Sequence, residues 1–344
     1  MDADQILVGV DIGGTNTVIG VLDDTLTVLG TCRIDTAAFP GAAAPGHPAP
    51  FLDRLAGAIR ELAAATGDGR RIGRVGLGVP GRVDSECGVV LGASNLGWRN
   101  VPLAAEMARR LDRPVAIDND VRLYLLGEAI AGAGRGYRNI VCLTLGTGMA
   151  MSLMLDGRLI RGHNYNAGEI GHDPVEGNEW RCNCGQIGCL ETIASATGIA
   201  RLARAKVREG AATLLARLPE PQRLSSHDVY QACLQGDEVA RSVFAFVGAT
   251  LGKKLLTAIC LLDPEIVIVG GGAAAAGPFL LDPLRSFIAG HYFQRERPPK
   301  LCAGQLGDEA GVVGAAYFAA VHGRQAEQEL LPGKEGFRLP IGPL

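Results

Sequence analysis

The chain has 344 residues, with 33 Lys and Arg against 36 Asp and Glu, for a net charge of −3. That length exceeds the size at which a single hydrophobic core stops growing, so two domains are expected. The balanced charge offers no basic face to nucleic acid, and no apolar run reaching the ~18 residues that a membrane span requires is expected.

Residues 6–10 form a short apolar run that ends on Asp11-Ile12-Gly13-Gly14-Thr15-Asn16. Residues 17–21 resume the pattern, and Asp23-Asp24 turns it toward a third strand around 27–33, giving a β-meander with a glycine-rich first turn. In such a turn Gly13 and Gly14 let backbone N–H groups face a phosphate, and Thr15 adds a hydroxyl. Asp11, at the strand end, can hold a magnesium ion through water. Plain hairpin turns use glycine pairs too, so this motif does not stand alone.

Residues 36–50, rich in Ala, Pro and Gly, read as an irregular connection in which His47 is a solvated loop residue. A helix is expected over 51–65, a buried strand over 75–79 ending at Pro80-Gly81, and a hairpin over 84–90. Asn95 offers a ligand hydroxyl both a donor and an acceptor, although turn-forming Asn is commoner. Residues 102–111 read as an amphipathic helix entered through proline at its first turn. A strand over 115–117 then runs into Asp118-Asn119-Asp120 and a helix over 121–131. Helix capping accounts for one polar residue there but not three, so Asp118 is assigned as the cap and Asp120 as a candidate base. A domain boundary is placed at 117/118.

Strand 140–145, the turn Gly146-Thr147-Gly148 and strand 149–155 repeat the opening arrangement. That echo suggests two domains of like topology facing each other across a cleft. Glu169 then stands three residues before His172, followed by Cys182, Cys184, Cys189 and Glu191. Three thiols and a histidine form a Cys₃His set of the kind that closed structural zinc sites use, with Gly185 and Gly188 supplying positive φ. Three unrelated buried thiols would be the plainer reading, and their clustering with glycines weighs against it. The flanking carboxylates mark a pocket wall for a polar ligand. The other cysteines (Cys32, Cys87, Cys142, Cys233, Cys260 and Cys302) are scattered and suit a reducing cytosol. With no signal-type segment at the start, a cytoplasmic protein is expected.

Helices follow over 192–209, 228–235 and 238–262, the last carrying Lys253 and Lys254, read as solvated. Strand 266–269 closes on Gly270-Gly271-Gly272, a turn that suits a nucleotide's base and ribose passing close to backbone. A helix over 279–290, a small-residue helix over 311–322 that packs back on an earlier sheet, and a tail over 323–344 complete the chain.

These motifs together resemble the ROK family of bacterial sugar kinases and repressors, within the actin-like ATPase superfamily, and most nearly its glucokinases. DIGGTNT (11–17) is similar to the family's first phosphate motif and TLGTG (144–148) to its second. IVIVGGG (266–272) is similar to the adenosine-side motif, and GEIGH (168–172) with CNCGQIGCLE (182–191) to the sugar-and-zinc signature. The resemblance implies an α/β, ribonuclease H-like two-domain fold with a cleft between the domains and a structural zinc site. It implies an ATP-dependent kinase acting on the 6-hydroxyl of glucose or a related hexose (mannose, an amino- or N-acetyl-hexose), with Mg²⁺ and Zn²⁺.

By the same resemblance Asp120 is the general base, and Gly81, Asn95, Asn119, Glu169, His172 and Glu191 surround the sugar. His172, Cys182, Cys184 and Cys189 hold zinc. Asp11, Gly13, Gly14, Thr15, Asn16, Thr147, Gly148, Gly271 and Gly272 line the ATP site. A homodimer or homotetramer is implied, with no nucleic-acid or membrane partner. The family's repressors carry a helix-turn-helix ahead of the first phosphate motif, where this sequence has ten residues, so a kinase is expected. A non-catalytic sugar sensor is the competing class, and the phosphoryl donor, ATP or polyphosphate, stays open.

Two stretches depart from the family's pattern. GTGMAMS (146–152) lacks a further glycine pair, so Ala150 and Ser152 are expected to weaken ATP binding. Arg122 follows Asn119-Asp120-Val121 where NDAN is common, and either reaches the substrate or points to solvent.

Overall fold

Strand β1 (Gln5–Ile12) is buried along nearly its whole length, which places it inside a sheet and not at an edge. It pairs antiparallel with β2 (Asn16–Leu22), which pairs antiparallel with β3 (Val28–Asp35). The structure, a computed structural model, describes residues 4–38 and 48–328; His47 and the residues from 329 onward lie outside the described residues. Helix α1 (Ala49–Thr66) returns the chain to β4 (Arg71–Val79), parallel to β1. Next comes a small antiparallel sheet of β5 (Arg82–Asp84), β6 (Val89–Ala93) and β7 (Trp98–Val101). Helix α2 (Leu103–Leu111) follows; Pro102 occupies its N-cap instead of its first turn, because helical dihedrals begin one residue later. Strand β8 (Val115–Asn119) then pairs parallel with β4, giving the order β3-β2-β1-β4-β8, and leads into α3 (Asp120–Ala131).

The second sheet repeats that plan. Strands β9 (Ile140–Leu145) and β10 (Met149–Leu155) form an antiparallel hairpin, as β1 and β2 do. After the two-residue strand β11 (Arg158–Leu159) come α4 (Glu191–Ala194) and α5 (Ala196–Arg208). The single helix expected over 192–209 is broken at Ser195, whose extended backbone (φ −81, ψ 168) and hydroxyl cap α5. Helices α6 (Ser226–Leu234) and α7 (Glu238–Leu262) precede β12 (Ile266–Gly270), which lies parallel to β9 as β4 does to β1. Helix α8 (Pro278–His291) and β13 (Lys300–Ala303), parallel to β12, complete the order β10-β9-β12-β13. By length and composition alone, α7 is the one helix among the described residues that could cross a membrane. Here Val243, Val247, Leu251, Leu255 and Ile259 bury one stripe of it.

Among the described residues, one unit runs through Gly136 and resumes over 157–167 and from Gln305 onward; the other holds 137–156 and 168–304. The boundary therefore falls at 136/137 and not at 117/118. The physical reason is helix α9 (Glu309–Gln328), which packs along α3 and across β1 and β4 and keeps α3 in the first unit. Alternation along β1 separates two cores. Ile6, Val8, Val10 and Ile12 pack with Phe51, Leu55 and Ile59 of α1, while Leu7 meets Val312, Val313 and Ala316 of α9. The approach of α9 is close enough that a Cβ on Gly9 or Gly76 would overlap the carbonyl of Val312 or Ala315.

Candidate active site

In the first unit the chain leaves β1 at Asp11 and turns into β2. Gly13 N–H donates to Asn16 O at 2.9 Å, and Thr36 N–H donates to Thr15 O at 2.8 Å. A Cβ on Gly13 would stand 2.6 Å from Asn16 O, so the tight turn itself excludes other residues there. Gly14, Thr15 and Asn16 are exposed, and the nearest atom to a Cβ on Gly14 would be Asn95 Cβ at 3.4 Å. Asn95 lies in the one-turn 3₁₀ helix Ser94–Leu96, closed by Gly97 at φ 66. Asp11 abuts the first turn of α9, where a Cβ on Gly311 would come within 2.7 Å of Asp11 Oδ2. Burial, and then the carboxylates of Asp120 and Asp308, push the Asp11 pKa up to about 7.

The corner between β8 and α3 is built differently from expectation. Asn119, not Asp118, caps α3, accepting from Arg122 N–H at 3.2 Å. Its Nδ2 donates to Gly81 O at 3.1 Å and to Asp120 Oδ1 at 2.9 Å. Gly81 has φ +90, and a Cβ there would overlap the Gly92 carbonyl, so the direction of its own carbonyl depends on glycine. Asp120 Oδ1 also accepts from Val121 N–H at 2.9 Å, which fixes a partly buried carboxylate at the start of the helix.

Asp118 is fully buried and serves arginines instead. Its Oδ1 accepts from Arg122 Nη1 at 2.9 Å and from Asn119 N–H at 2.7 Å. Its Oδ2 accepts from Arg161 Nε at 2.9 Å and Nη2 at 2.6 Å. Arg122 reaches neither ligand space nor solvent: it is only 3% exposed. A buried carboxylate needs such charge-assisted donors, and that requirement takes Asp118 away from the cap.

In the second unit Gly146 N–H donates to Gly148 O at 3.0 Å and closes the turn. The start of α5 pins it, with Ala196 N–H on Gly146 O at 2.8 Å and Thr197 Oγ1 on Thr147 O at 2.9 Å. Thr147 and Gly148 are exposed. Gly271, at φ 81, lies on the backbone of Leu145, where a Cβ would come within 2.7 Å of N and O. Gly272 opens onto free space. The two glycine motifs, 125 residues apart by the span from Gly146 to Gly271, are neighbours in space. Ser152, expected to crowd this turn, is buried deeper in the sheet, opposite Cys142, because the hairpin register carries it away; Ala150, opposite Thr144, stays nearer the turn.

Glu169 precedes a 3₁₀ turn, Ile170–His172, that sets His172 between two carboxylates. Its Nε2 lies 3.8 Å from Glu169 Oε2 and its Nδ1 3.9 Å from Glu191 Oε1. Cys182 Sγ is 3.8 Å from His172 Nδ1, and the sulfurs of Cys184 and Cys189 are 3.6 Å apart. One ligand atom from each of these four residues lies within 4.8 Å of the others. Zn–S bonds of ~2.3 Å in a tetrahedron put sulfurs ~3.8 Å apart, so the donor set and spacing fit one zinc ion. Gly185 (φ 94) and Gly188 (φ 88) form the left-handed turns that the cysteine spacing needs. Burial, and then the Glu191 carboxylate, push the Cys182 thiol up, while the Gln186 backbone N–H lowers that of Cys184.

Several organising residues escape the sequence reading. Asn178 Nδ2 donates to Thr192 Oγ1 at 2.8 Å and Cys189 O at 3.2 Å, tying the loop to α4. Lys254, read as solvated, pairs with Asp173 at 2.8 Å and donates to Pro174 O at 2.6 Å. Its place three residues after the buried Leu251, at the border of the apolar stripe, was the available signal. The anchoring role of Arg161 had none, since it acts on a residue 43 positions away.

The model of the ROK family matches residues 7–321. A glucokinase of Thermotoga maritima is 36% identical over 313 residues, covering 90% of this chain and 96% of its own. An N-acetyl-D-glucosamine kinase of Escherichia coli is 31% identical over 323 residues, covering 90% of this chain and 98% of its own. The crystal structure of a ROK family glucokinase from Streptomyces griseus in complex with glucose and AMPPNP matches with a TM-score of 0.78 at 33% identity, covering 92% of this chain and 99% of that one.

Proposed function

The chain belongs to the ROK family, and from that membership we propose that it is a hexose kinase transferring the γ-phosphoryl group of ATP to the 6-hydroxyl of glucose or a related hexose. The relatives named as glucokinases and the Streptomyces griseus complex with glucose and AMPPNP support this reading. The relative named as an N-acetyl-D-glucosamine kinase supports counting N-acetyl-hexoses among the related acceptors, with mannose and amino-hexoses as further members of the test panel. The observation that carries the proposal is the Asp120 carboxylate, held by Asn119 Nδ2 and Val121 N–H beside an Asn119 that is itself bonded to Gly81.

In this reading Asp120 takes the proton of the 6-hydroxyl as that oxygen attacks the γ-phosphorus and ADP leaves. Asn95, Asn119, Glu169, His172 and Glu191 bind the ring hydroxyls, since amides and carboxylates pair with vicinal diols and discriminate epimers. The exposed glycine turns at 13–16, 146–148 and 271–272 bind the nucleotide through backbone N–H groups. Asp11 would hold magnesium through water, and its crowding by Asp120 and Asp308 is the like-charge excess that a dication offsets. Bound magnesium neutralises charge on the phosphates. His172, Cys182, Cys184 and Cys189 would hold a structural zinc ion that fixes Glu169 and Glu191 in place. We take the enzyme to be cytoplasmic and to assemble as a homodimer or homotetramer.

ADP release in the presence of Mg·ATP across a panel of hexoses tests the proposal directly. Turnover on glucose or an analogue is expected. Sugar binding with no ADP release on any member would give the non-catalytic sensor instead, and turnover with polyphosphate alone would reassign the donor.

A further inference from the structure

Residues 157–167 form a strap that belongs to the first unit, although the stretches on either side, 137–156 and 168–304, belong to the second. Arg161 supplies one anchor through Asp118 and lies 5.8 Å from the centre of the Phe318 ring on α9. A second anchor is Arg122 Nη2, which donates to Tyr165 O at 2.6 Å. Tyr165 has φ +60, a conformation uncommon for a side-chain-bearing residue, and its carbonyl meets the guanidinium in that conformation. The Tyr165 hydroxyl neighbours the Asp84 carboxylate, which accepts from Glu86 N–H at 3.1 Å and Cys87 N–H at 2.9 Å.

Arg122 is the residue that joins these parts. Its backbone N–H bonds the Asn119 cap, its Nη1 holds Asp118, and its Nη2 holds the strap. Asp118 in turn accepts from Asn119 N–H, so both ends of Asn119 are tied to one cluster. We infer that Arg122 is a positioning residue for phosphoryl transfer: it couples the strap at Tyr165 to the Asn119-Asp120 corner. This inference rests on the reading of Asp120 as the base. Neither a lysine nor an apolar side chain reproduces the coupling. Lysine is a point charge without a fork, and cannot serve Asp118 and the Tyr165 carbonyl in two fixed directions. Two guanidiniums share one carboxylate here, so Arg122→Met leaves a neutral Asp118–Arg161 pair and is expected to fold.

Arg122→Met and Arg122→Lys, assayed well below their melting temperatures, test the idea. Arg122→Met is expected to lower kcat roughly 10–100-fold with the KM for ATP unchanged, because small misplacements of a catalytic group are costly. Arg122→Lys recovers part of that loss. Amide exchange over 162–166 and over 119–121 should accelerate together in Arg122→Met, by about tenfold or more. A purely structural role would lower the melting temperature and leave kcat per folded molecule intact. A folded Arg122→Met with wild-type kcat, or one whose strap is deprotected while the corner stays protected, overturns the inference. If the wild-type protein turns over no sugar, the proposed function fails separately, and the paired exchange readout still decides the coupling.

Discussion

Glu191 accepts the Cys182 thiol through Oε1 at 2.7 Å, and its Oε2 lies 3.2 Å from where a Cβ on Gly148 would stand. One carboxylate therefore touches both the metal-ligand loop and a glycine turn of the same unit. In the proposed enzyme that makes Glu191 a common wall for acceptor and donor. Gly148→Ala would push on Glu191 by a few tenths of an ångström. We expect KM to rise for sugar and nucleotide together, by about 3–30-fold, since a crowded polar contact of this kind costs about 1–2 kcal/mol. Measured KM values for both substrates check it; an increase for ATP alone would mean that the two sites are independent.

Zinc content gives a second test. The purified protein should carry one zinc per chain, and Cys184→Ala or prolonged chelation should remove it. Where ligand binding is folding energy, loss of the ion should destabilise the second unit by several kcal/mol, a drop of about 10 °C in Tm. Sugar affinity should fall with it, because Glu169 and Glu191 lose their frame. Metal analysis finding no zinc in active protein would refute the assignment.

Asp120→Asn keeps the size of the side chain and removes the proton acceptor. Turnover should fall by about 10²–10⁴-fold, the usual contribution of a positioned base, while sugar affinity changes little. Calorimetric sugar binding with the assay separates the two. Retention of more than a tenth of wild-type kcat would remove Asp120 from the base role.

Asp11 should leave a signature in the pH dependence of stability. Its pKa is 3.8 in the unfolded reference and about 7 in the folded chain, so the folded state binds the proton more tightly. Stability from this group therefore falls as pH rises from about 4 to 7 and is level above that. At ~1.4 kcal/mol per pKa unit the ceiling is about 4 kcal/mol, reduced by the residue's partial exposure. Asp11→Asn should abolish turnover yet stabilise the ligand-free protein at pH 8, by about 1–3 kcal/mol in denaturant melts. Wild-type protein should also release a proton on binding Mg·ATP near pH 6–7, visible as a buffer-dependent binding enthalpy.

What the sequence disclosed followed from local chemistry. The glycine turns, the cysteine cluster with Gly185 and Gly188, and the helical runs of α1, α3 and α7 announce themselves through spacing and φ demands that neighbouring residues carry, whereas the break at Ser195 and the run of α9 on to Gln328 do not. What it concealed was long-range. Asp118 looks like a cap until Arg161, 43 residues on, claims its second oxygen, and Arg122 looks solvent-bound until the Tyr165 carbonyl and Asp118 enclose it. Ser152 looks close to the turn along the chain, but the hairpin register pairs it with Cys142, well down the strand. The boundary moved for the same reason: only the packing of α9, far along the chain, assigns α3 to the first unit.

That packing supplies the last test. Gly314 on α9 faces α3 so closely that a Cβ would overlap the Leu123 carbonyl, and Gly76 on β4 faces the Ala315 carbonyl in the same way. Backbone cannot rotate aside as a side chain can, so either substitution must lift the helix. Gly314→Ala raises helix propensity by about 1 kcal/mol, which would stabilise an exposed helix. Here the overlap should win, with a net loss of about 3 kcal/mol or more and a lower Tm. Lifting α9 also moves Gly311 away from Asp11 Oδ2, so the folded fraction should show weaker Mg·ATP binding. Gly290→Ala, at the end of α8 where a Cβ meets nothing within 4 Å, is the control and should be neutral or slightly stabilising. If Gly314→Ala melts with the control, α9 does not sit on α3 at backbone contact.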